Sequence, residues 1–581
     1  MLNEKVNIDI PADGIYRISD DDLVEGDRCD LPEGKEIEIA RKNADLIQNL
    51  LDTAGKNGGG IVLLPKGIYC ISGDTSVFNN KCLVIRYDNI TLTGEEDSKN
   101  EDGSYKTVLK SSFKWDGPNG IFRSNGIYVE GTEPNSSHPR QNIRISHFEL
   151  DGGRGWNGVY DWGYDITKDY GWDIGHKGIS VAWDRFVSHV TLEDMYVHKF
   201  SGETVYVGGQ FVGFLDVKDC KFTDTNASCF NLYAAVLRVR NTQFGAPEGR
   251  CRFWIEYSPR NSFVKPSQFM TIPDGLEFNH AYITNNKFYN SVGAHGIAIA
   301  QGDSDISNYT MVIENNFFDN TLSNEWQGIF QFCGGIYGPT YIKNNKIRNC
   351  HGPVIVFDYG GGTVPLDNLK NKNIWLENND CKNLSGLFIS LVGTWGIWDA
   401  KLQKPVPAVC PVENLYVREN NFEGTGAESV CVAMSNNYGD LSSAVDLNNI
   451  VIENNIFKNC TAPEEQREFL GNVPLFKNNK YIDVIESRLG AINFVSSENP
   501  MLKPIYEYLT VIADEPIIAS IRIRRNEDGQ KVEIKGAIGT APVTFTAGSD
   551  NYEVEKDIVL NEKDKITMQY SSRKGKWIHI K

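Results

Sequence analysis

A six-residue phrase with the pattern apolar, x, Asn, Asn, x, apolar recurs through the second half of the chain. Its copies are ITNNKF at 283–288, IENNFF at 313–318, IKNNKI at 342–347, LENNDC at 376–381, VRENNF at 417–422, IENNIF at 452–457 and FKNNKY at 476–481. The first Asn of each pair stands at 285, 315, 344, 378, 420, 454 and 478, which gives steps of 30, 29, 34, 42, 34 and 24 residues. A repeat at steps of this size predicts a solenoid in which each copy adds one winding.

The step length and the pattern of the phrase indicate the kind of solenoid. Three short strands and their turns use about 22 to 34 residues, as one turn of a parallel β-helix does, so the 42-residue step predicts a winding with a loop insertion. Weaker copies come earlier, in LEDMYV at 192–197, VKDCKF at 217–222 and VRNTQF at 239–244. We therefore predict an all-β chain whose main part is a right-handed, single-stranded parallel β-helix.

Apolar and Asn positions in the phrase have separate expected roles. Apolar side chains at alternate positions point into the cylinder and stack on their equivalents one winding away. Asn tolerates the left-handed backbone of a turn, and its amide can bond to the amide of the next winding in a ladder. Asn-rich low complexity is the alternative, but it does not explain why apolar residues keep a fixed offset from each pair.

The two ends of the chain differ from the repeat. Residues 36–55 carry one apolar helical stripe and predict an N-terminal capping helix; the stripe consists of Ile39, Ala40, Ala44, Ile47, Leu50, Leu51 and Ala54. After about residue 500 the phrase disappears, and short alternating segments such as QKVEIKG (530–536) and KITMQY (565–570) predict a β-sandwich-like module. The expected organisation is a lead segment at 1–35, a β-helix at 36–499 and the C-terminal β module at 500–581.

One segment near the start resembles a known superfamily. A helix that ends in AGKNGGG (54–60) and continues as IVLLPKGIYCI (61–71) resembles the opening of pectate-lyase-like β-helix proteins, which include polysaccharide lyases, glycoside hydrolases and bacteriophage tailspike depolymerases. The usual Asp-Asp-Thr before the cap helix is absent, and residues 42–45 (KNAD) stand in its place. The C-terminal segment is similar to modules that follow β-helices in phage tail proteins. The resemblance implies a polysaccharide substrate and a homotrimer.

Charge and cysteine content limit the function classes. The formal net charge of −18 excludes tight binding to a nucleic-acid backbone and slightly favours a neutral glycan over a polyanionic one. No signal peptide or membrane-spanning segment is apparent, so we expect a virion tail, another route out of the cell, or the cytoplasm of a cell. The 12 cysteines show no zinc-site spacing, so we expect no cofactor or metal site, apart from possible Ca²⁺ in an acidic loop.

Glycosidic bond cleavage usually needs two carboxyl groups, one as the acid and one as the base or nucleophile. Segments that follow successive turns align Glu256 and Asp303 on adjacent windings, which makes them the preferred pair, with Asp184 and Asp358 as second choices. Each can instead be a solvated residue at a strand end. His295, in AHGIAIAQ (294–301), partly resembles a polygalacturonase phrase, although Ala replaces the Ser and the last Gly of that phrase.

Aromatic residues supply the candidates for sugar binding. The stretch 151–176 mixes tryptophans and tyrosines with aspartates and can wall a glycan groove, hold Ca²⁺, or form a self-packed loop. The predicted substrate-binding residues are Trp156, Trp162, Trp172, Trp254, Arg252 and Trp395.

Three functions remain open on this evidence. The first is a hydrolase-type polysaccharide depolymerase, of which a tailspike that acts on a bacterial surface glycan is one form. The second is a polysaccharide lyase, which needs a base such as Arg252 or Lys177 beside a uronic acid. The third is a non-catalytic adhesin that binds a glycan in the same groove.

The predicted homotrimer can be tested by light scattering. We expect three chains for the full-length protein and a smaller species after removal of residues 500–581, because the resemblance assigns assembly to that module. A monomer in both cases would contradict the prediction.

Overall fold

The computed structural model describes most of the chain and divides it into two compact units, Met1–Gly293 and Ala294–Lys581. The described residues are 11–18, 22–27, 30, 34–74, 80–111, 123–133, 138–153, 175–181, 185–200, 202–208, 212–234, 236–246, 251–259, 280–291, 296–299, 310–321, 328–333, 336, 338–357, 370–392, 397–399, 404–406, 409–435, 444–465, 470–485, 492–504, 507–523 and 528–581.

The predicted N-terminal helix is present as Glu36–Lys56. Its buried residues include six of the seven predicted stripe positions, and Asn43 lies among them. The Asn43 amide accepts a hydrogen bond from the backbone N–H of Val24 and donates to the carbonyls of Val24 and Cys70. The helix is therefore attached to the first winding by polar contacts as well as by its apolar face.

Parallel strands of the first unit form three stacks, in which each strand pairs with the strand one winding later. Stack A contains Ile15–Arg17, Gly60–Leu63, Ile90–Thr93, Ile143–Asp151, Val187–His198, Val212–Lys218, Val236–Arg240 and His280–Thr284. Stack B contains Gly67–Ile71, Thr107–Ser111, Lys221–Thr223, Gln243–Phe244 and Lys287–Ser291, together with the second halves of Ile143–Asp151 and Val187–His198. Stack C contains Asn80–Ile85, Arg123–Val129, Gly175–Val181, Val205–Val207, Thr225–Ala234 and Cys251–Pro259.

The second unit has the same construction. Stack D contains Thr310–Glu314, Thr340–Lys343, Asn371–Glu377, Val409–Arg418, Ala444–Glu453, Leu470–Gly471 and Leu475–Lys477. Stack E contains Phe317–Thr321, Lys346–Arg348, Ile456–Lys458, Lys480–Ile482 and the first halves of Asp380–Val392 and Asn421–Ser435. Stack F contains Ile297–Ile299, Phe330–Phe332, Ile355–Phe357, Glu464–Glu465 and the second halves of the same two long strands. Ile397–Asp399 and Lys404–Val406 form an antiparallel pair. The predicted parallel β-helix is confirmed.

The sequence predicted two roles for the Asn residues of the phrase, the left-handed turn and the amide ladder. In the structure, the first Asn forms the turn and the second forms the ladder. The first Asn takes the left-handed conformation, with φ of 57° at Asn315, 56° at Asn344 and 54° at Asn378. The second Asn is buried and forms the ladder: the backbone and side-chain N–H groups of Asn345 both donate to Asn379 Oδ1, at 3.0 Å each. Asn345 Nδ2 also donates to the carbonyl of Ile313, so each amide joins successive windings.

The ladder continues regularly through the second unit. Its members are Asn316, Asn345, Asn379, Asn420, Asn455 and Asn479, linked by side-chain bonds of 2.9 to 3.0 Å. At VRENNF the register differs by one from the sequence count. Glu419 has φ of 55° and occupies the turn position, while Asn420 is the ladder residue. The sequence count paired Asn420 with Asn421 because both are Asn, although the turn needs only a residue that tolerates positive φ.

The first unit keeps the same turn with other residues. Asp194, Asp219 and Asn241 have φ of 45°, 56° and 51° at the left-handed position. The weaker copies predicted these turns correctly. Thr242 and Asn286 continue the ladder there, since the Thr242 N–H donates to Asn286 Oδ1 at 2.9 Å.

The C-terminal module has its own core. Buried apolar residues from Val495 to Trp577 form one cluster, among them Phe545, Tyr552 and Met568. Its strands are Ile492–Val495, Met501–Leu502, Tyr508–Ala513, Ile517–Ile518, Ser520–Ile521, Lys531–Gly536, Val543–Phe545, Tyr552–Glu553, Ile558–Leu560, Lys565–Ser571 and Lys576–Ile580. The first of them still pair in parallel, and antiparallel pairs begin with Lys531–Gly536 against Lys565–Ser571. The predicted C-terminal β module is therefore present.

Ten cysteines in the described part of the chain are buried and form no disulfide. In the same part of the chain, no helix has both the length and the apolar character that crossing a membrane requires.

Replacing a ladder residue should destabilise the fold far more than replacing its neighbour. Asn379→Ala removes the acceptor for two buried N–H groups of Asn345, and we expect a loss of about 3 kcal/mol in the free energy of unfolding. Asn378 is exposed with positive φ, so Asn378→Gly should change the stability by less than about 0.5 kcal/mol. Urea denaturation measures both, and equal effects would contradict the ladder.

Asp380 should make stability depend on acid pH. Burial raises the pKa of its carboxyl, but hydrogen bonds from Asn421 and Arg348 and the charge of Lys382 outweigh burial and lower it below its ordinary value. The pKa of Asp380 is lower in the folded state than in the unfolded state, where it is about 3.9. The carboxylate therefore stabilises the fold above about pH 3.9, and this stabilisation is lost as the pH falls below that value. Asp380→Asn should cost about 0.5 to 1 kcal/mol at pH 7 and progressively less as the pH falls below about 3.9, measured by urea denaturation.

Candidate functional site

Stack C carries a row of polar and aromatic residues, one from each successive winding. Strand register aligns Tyr128, Ser180, Tyr206, Asn231 and Glu256. The neighbouring positions on these strands, from Ile127 to Ile255, are buried in the core, so alternation directs the row to the opposite face. Within the row, Ser180 and Tyr206 are 3% and 8% exposed, and the other three members are half-buried. Adjacent strands are about 4.8 Å apart, so register partners that are 25 to 52 positions apart in the sequence become near neighbours.

Glu256 is held at one end of this row by two donors. Ser228 Oγ donates to Glu256 Oε2 at 2.7 Å, and Asn231 Nδ2 donates to the same oxygen at 3.0 Å. The Glu256 side chain is half-buried. A carboxylate fixed by two hydrogen bonds and still partly open to solvent has the orientation that acid–base or nucleophilic catalysis needs.

A buried ion pair lies beside the row. Lys177 Nζ is 2.7 Å from Glu203 Oε2, and the two side chains are 9% and 6% exposed. The same ammonium lies 3.4 Å from the centre of the Tyr206 ring. Because Lys177 is paired as a cation, it is poorly suited to the role of a lyase base, which requires a neutral amine.

Most of the predicted site residues lie outside the described residues. This is so for the catalytic candidates Asp184, Asp303, Asp358 and His295, for the aromatic candidates Trp156, Trp162, Trp172 and Trp395, and for the side chain of Arg252. Pairing of Glu256 with Asp303 therefore stays a prediction. Of the acidic and aromatic stretch 151–176, the structure describes 151–153 and 175–176.

Trp254 is a core residue, and its predicted role in substrate binding is wrong. Its side chain is fully buried, Nε1 donates to the carbonyl of Tyr289 at 3.1 Å, and its ring lies 5.3 Å from that of Phe288. Trp254 has the same strand parity as Glu256. Its ring is nevertheless covered, because Trp254 lies near the start of its strand, where Phe288 and Tyr289 of stack B in the next winding contact it. No face of the ring is left to stack on a sugar.

A second cluster of titratable groups lies at the end of stack B. Strand register aligns Lys110, Asp151, His198 and Thr223 on four successive windings. Asp151 and His198 are each 4% exposed. Glu149, two residues before Asp151 on the same strand, places Oε1 2.8 Å from His198 Nε2.

The surroundings of this cluster supply aromatic and positive groups. The His198 ring stacks on Tyr196, with centres 4.1 Å apart and planes at 14°. Lys199 Nζ is 3.5 Å and Lys110 Nζ 3.9 Å from Asp151 Oδ2. One oxygen of each carboxylate and one His198 nitrogen all lie within 4.8 Å of one another, a spacing that a single metal ion can span.

Sequence reasoning missed this second cluster, although the sequence contains a signal for it. The weak copy LEDMYV ends at Val197, one residue before His198. An aligned copy one winding earlier, ISHFEL at 145–150, ends one residue before Asp151. Comparing the residue that follows each copy would have brought Asp151 and His198 together.

No protein-family model matches the sequence, and no curated protein matches it. Solved structures with a similar course of the backbone include the A-module of the mannuronan C-5 epimerase AlgE6 of Azotobacter vinelandii, at 14% identity and a TM-score of 0.35 over 77% of this chain and 95% of that one. PfbA, a surface adhesin of Streptococcus pneumoniae, has 13% identity and a TM-score of 0.37 over 77% and 90%. The Dettilon tailspike protein has 12% identity and a TM-score of 0.40 over 91% and 72%. At such identities few side chains are shared.

Proposed function

We propose that the protein binds a polysaccharide along stack C and cleaves its glycosidic bonds by carboxyl-group catalysis of the hydrolase type. One observation carries the proposal: the row from Tyr128 to Glu256 aligns hydroxyl, aromatic, amide and carboxylate groups along consecutive windings and ends at a fixed carboxylate. Amide and hydroxyl groups exchange hydrogen bonds with sugar hydroxyls. The ring of Tyr128 has the Lys81 ammonium 3.8 Å from its centre, and the ring of Tyr206 has the Lys177 ammonium at 3.4 Å. A long polymer suits a row of this kind because each winding repeats the spacing.

Glu256 supplies one of the two carboxyl groups. Its Oε2 accepts hydrogen bonds from Ser228 and Asn231, which suits a base or nucleophile whose orientation must not change during the reaction. We assign Asp303 as the second carboxyl group, as the alignment of the sequence predicts, with Asp184 and Asp358 as alternatives.

Charge supports a neutral glycan as the substrate. The chain has a formal net charge of −18, and in the row itself the catalytic carboxylate is the one charged side chain. Two cations lie next to the row: Lys177, which is ion-paired with Glu203, and Lys81, whose ammonium is 3.8 Å from the centre of the Tyr128 ring. A uronic acid polymer would bring further negative charge beside the Glu256 carboxylate of a chain that is already acidic.

The proposal is tested with a panel of bacterial surface polysaccharides, in which release of reducing ends is measured. We expect cleavage of at least one neutral glycan, and Glu256→Gln and Asp303→Asn should each lower kcat about 100-fold or more. Glu193→Gln is the matched control, because Glu193 is a carboxylate of the same unit that is ion-paired with Arg144 and Lys218 on stack A. Its activity should equal that of the unmodified protein, and thermal melting checks that every variant is folded.

Other outcomes identify the competing functions. Products that absorb in the ultraviolet without hydrolysis would indicate a lyase, and retention of a glycan without shortening would indicate an adhesin. Full activity in both the Glu256 and the Asp303 variant would overturn the assigned site.

A further inference from the structure

We propose that Glu149, Asp151 and His198 bind one divalent transition-metal ion, for which zinc is the probe. This site is separate from the row on stack C and does not depend on the proposed glycan chemistry. Its donors are one oxygen from each of two carboxylates and one imidazole nitrogen, all within 4.8 Å of one another. Three protein ligands of this kind leave a further coordination position for water or another ligand.

Fold geometry explains why the three side chains converge. Glu149 and Asp151 are two residues apart on one strand, so they project from the same face. His198 is the register partner of Asp151 on the next winding. The ligands therefore come from two backbone segments that are fixed by parallel pairing, and the site needs little rearrangement to form.

Asp151 is nearly buried, and its two oxygens have different partners. Its Oδ1 accepts the N–H of Gly153 at 2.8 Å. Its Oδ2 receives no hydrogen bond from any residue that the structure describes, although the side chain is only 5% exposed. The cations nearest to that oxygen are the ammonium groups of Lys199 and Lys110, at 3.5 and 3.9 Å. These ion pairs are longer than a direct hydrogen bond, so the oxygen keeps a coordination position for a closer cation.

The two nearby lysines leave room for a metal. Lys110 has a closer partner than Asp151, because its ammonium forms an ion pair with Asp27. Lys199 is 43% exposed, so its side chain can turn into solvent when a cation occupies the cluster. Neither ammonium donates a hydrogen bond to Asp151 within the described part of the chain.

The donor set favours zinc or a similar ion over calcium. Ca²⁺ prefers six to eight oxygen ligands, whereas zinc accepts imidazole nitrogen together with carboxylate oxygen in a site of low coordination number. Two carboxylates and one neutral imidazole also compensate the charge of a divalent ion. The calcium expectation from the sequence used the acidic stretch that begins at Asp151, and neither Glu149 nor His198 belonged to it.

A bound ion would join two windings where the chain leaves stack B. Glu149 and Asp151 come just before Gly152 and Gly153, and the Gly152 N–H already donates to the carbonyl of His198 at 2.8 Å. Coordination adds a second link between the same two strands. We therefore expect the ion to raise the thermal stability as well as to bind.

The test uses the full chain without an affinity tag, stripped with a chelator that is then removed. Isothermal titration with Zn²⁺, and the absorption spectrum after Co²⁺ addition, should report one ion per chain with nitrogen and oxygen ligands, and the melting temperature should rise with zinc. Asp151→Asn and His198→Gln should each weaken zinc binding about 100-fold. His189→Gln is the matched control, since His189 lies on the same strand but outside the cluster, and it should bind zinc normally.

Several outcomes would overturn the site. No zinc binding by the unmodified chain would do so, as would binding that both cluster variants retain, which identifies an adventitious ion. Calcium binding lost in the variants, without zinc binding, would overturn the assignment to a transition metal. If a cluster variant fails to fold, the site is tested by zinc binding of Glu149→Gln, which should be weakened, and by the cobalt spectrum of the unmodified chain, which should show nitrogen and oxygen ligands. No glycan is present, so failure here leaves the proposed glycan cleavage untouched.

Discussion

In-register pairing of parallel strands, one winding after another, is the constraint on which the whole structure depends. Parallel pairing keeps each residue opposite its equivalent in the next winding, so a favourable side chain at one position is favourable again one turn later. The buried Asn ladder is the clearest result. Each amide satisfies its own donors and acceptors only because an identical amide lies next to it, as Asn345 and Asn379 do.

The same constraint gives the outer face its chemistry. Alternation commits every second residue to the core, and the remaining positions line up in rows that run from winding to winding. Where such a row collects hydroxyl, amide and carboxylate groups, as it does from Ser180 to Glu256, it can serve a polymer. Where it collects acids and an imidazole, as at Asp151 and His198, it can serve an ion. Both follow from one backbone geometry.

The two units use this geometry in different ways. In the second unit the turn between stacks D and E is uniform, with an Asn ladder of six members. In the first unit, the ladder positions are occupied by Met195, Cys220 and Thr242. The same unit has buried charged side chains outside the apolar core, such as Lys177 and Glu203. Buried charges cost free energy unless they are paired, as Lys177 and Glu203 are.

The sequence by itself determined the architecture. A repeated phrase with fixed apolar offsets and a residue suited to positive φ sufficed to predict the windings, and an apolar helical stripe at 36–55 sufficed to predict the capping helix. Both depend on local conformation and on periodicity along the chain. The tertiary structure decided what depends on contact between windings. Three features depend on the register between strands that are tens of residues apart. They are the burial of Trp254, the one-residue offset that makes Glu419 the turn residue, and the contact between Glu149 and His198. That register is set by pairing across windings, and no single stretch of sequence contains it.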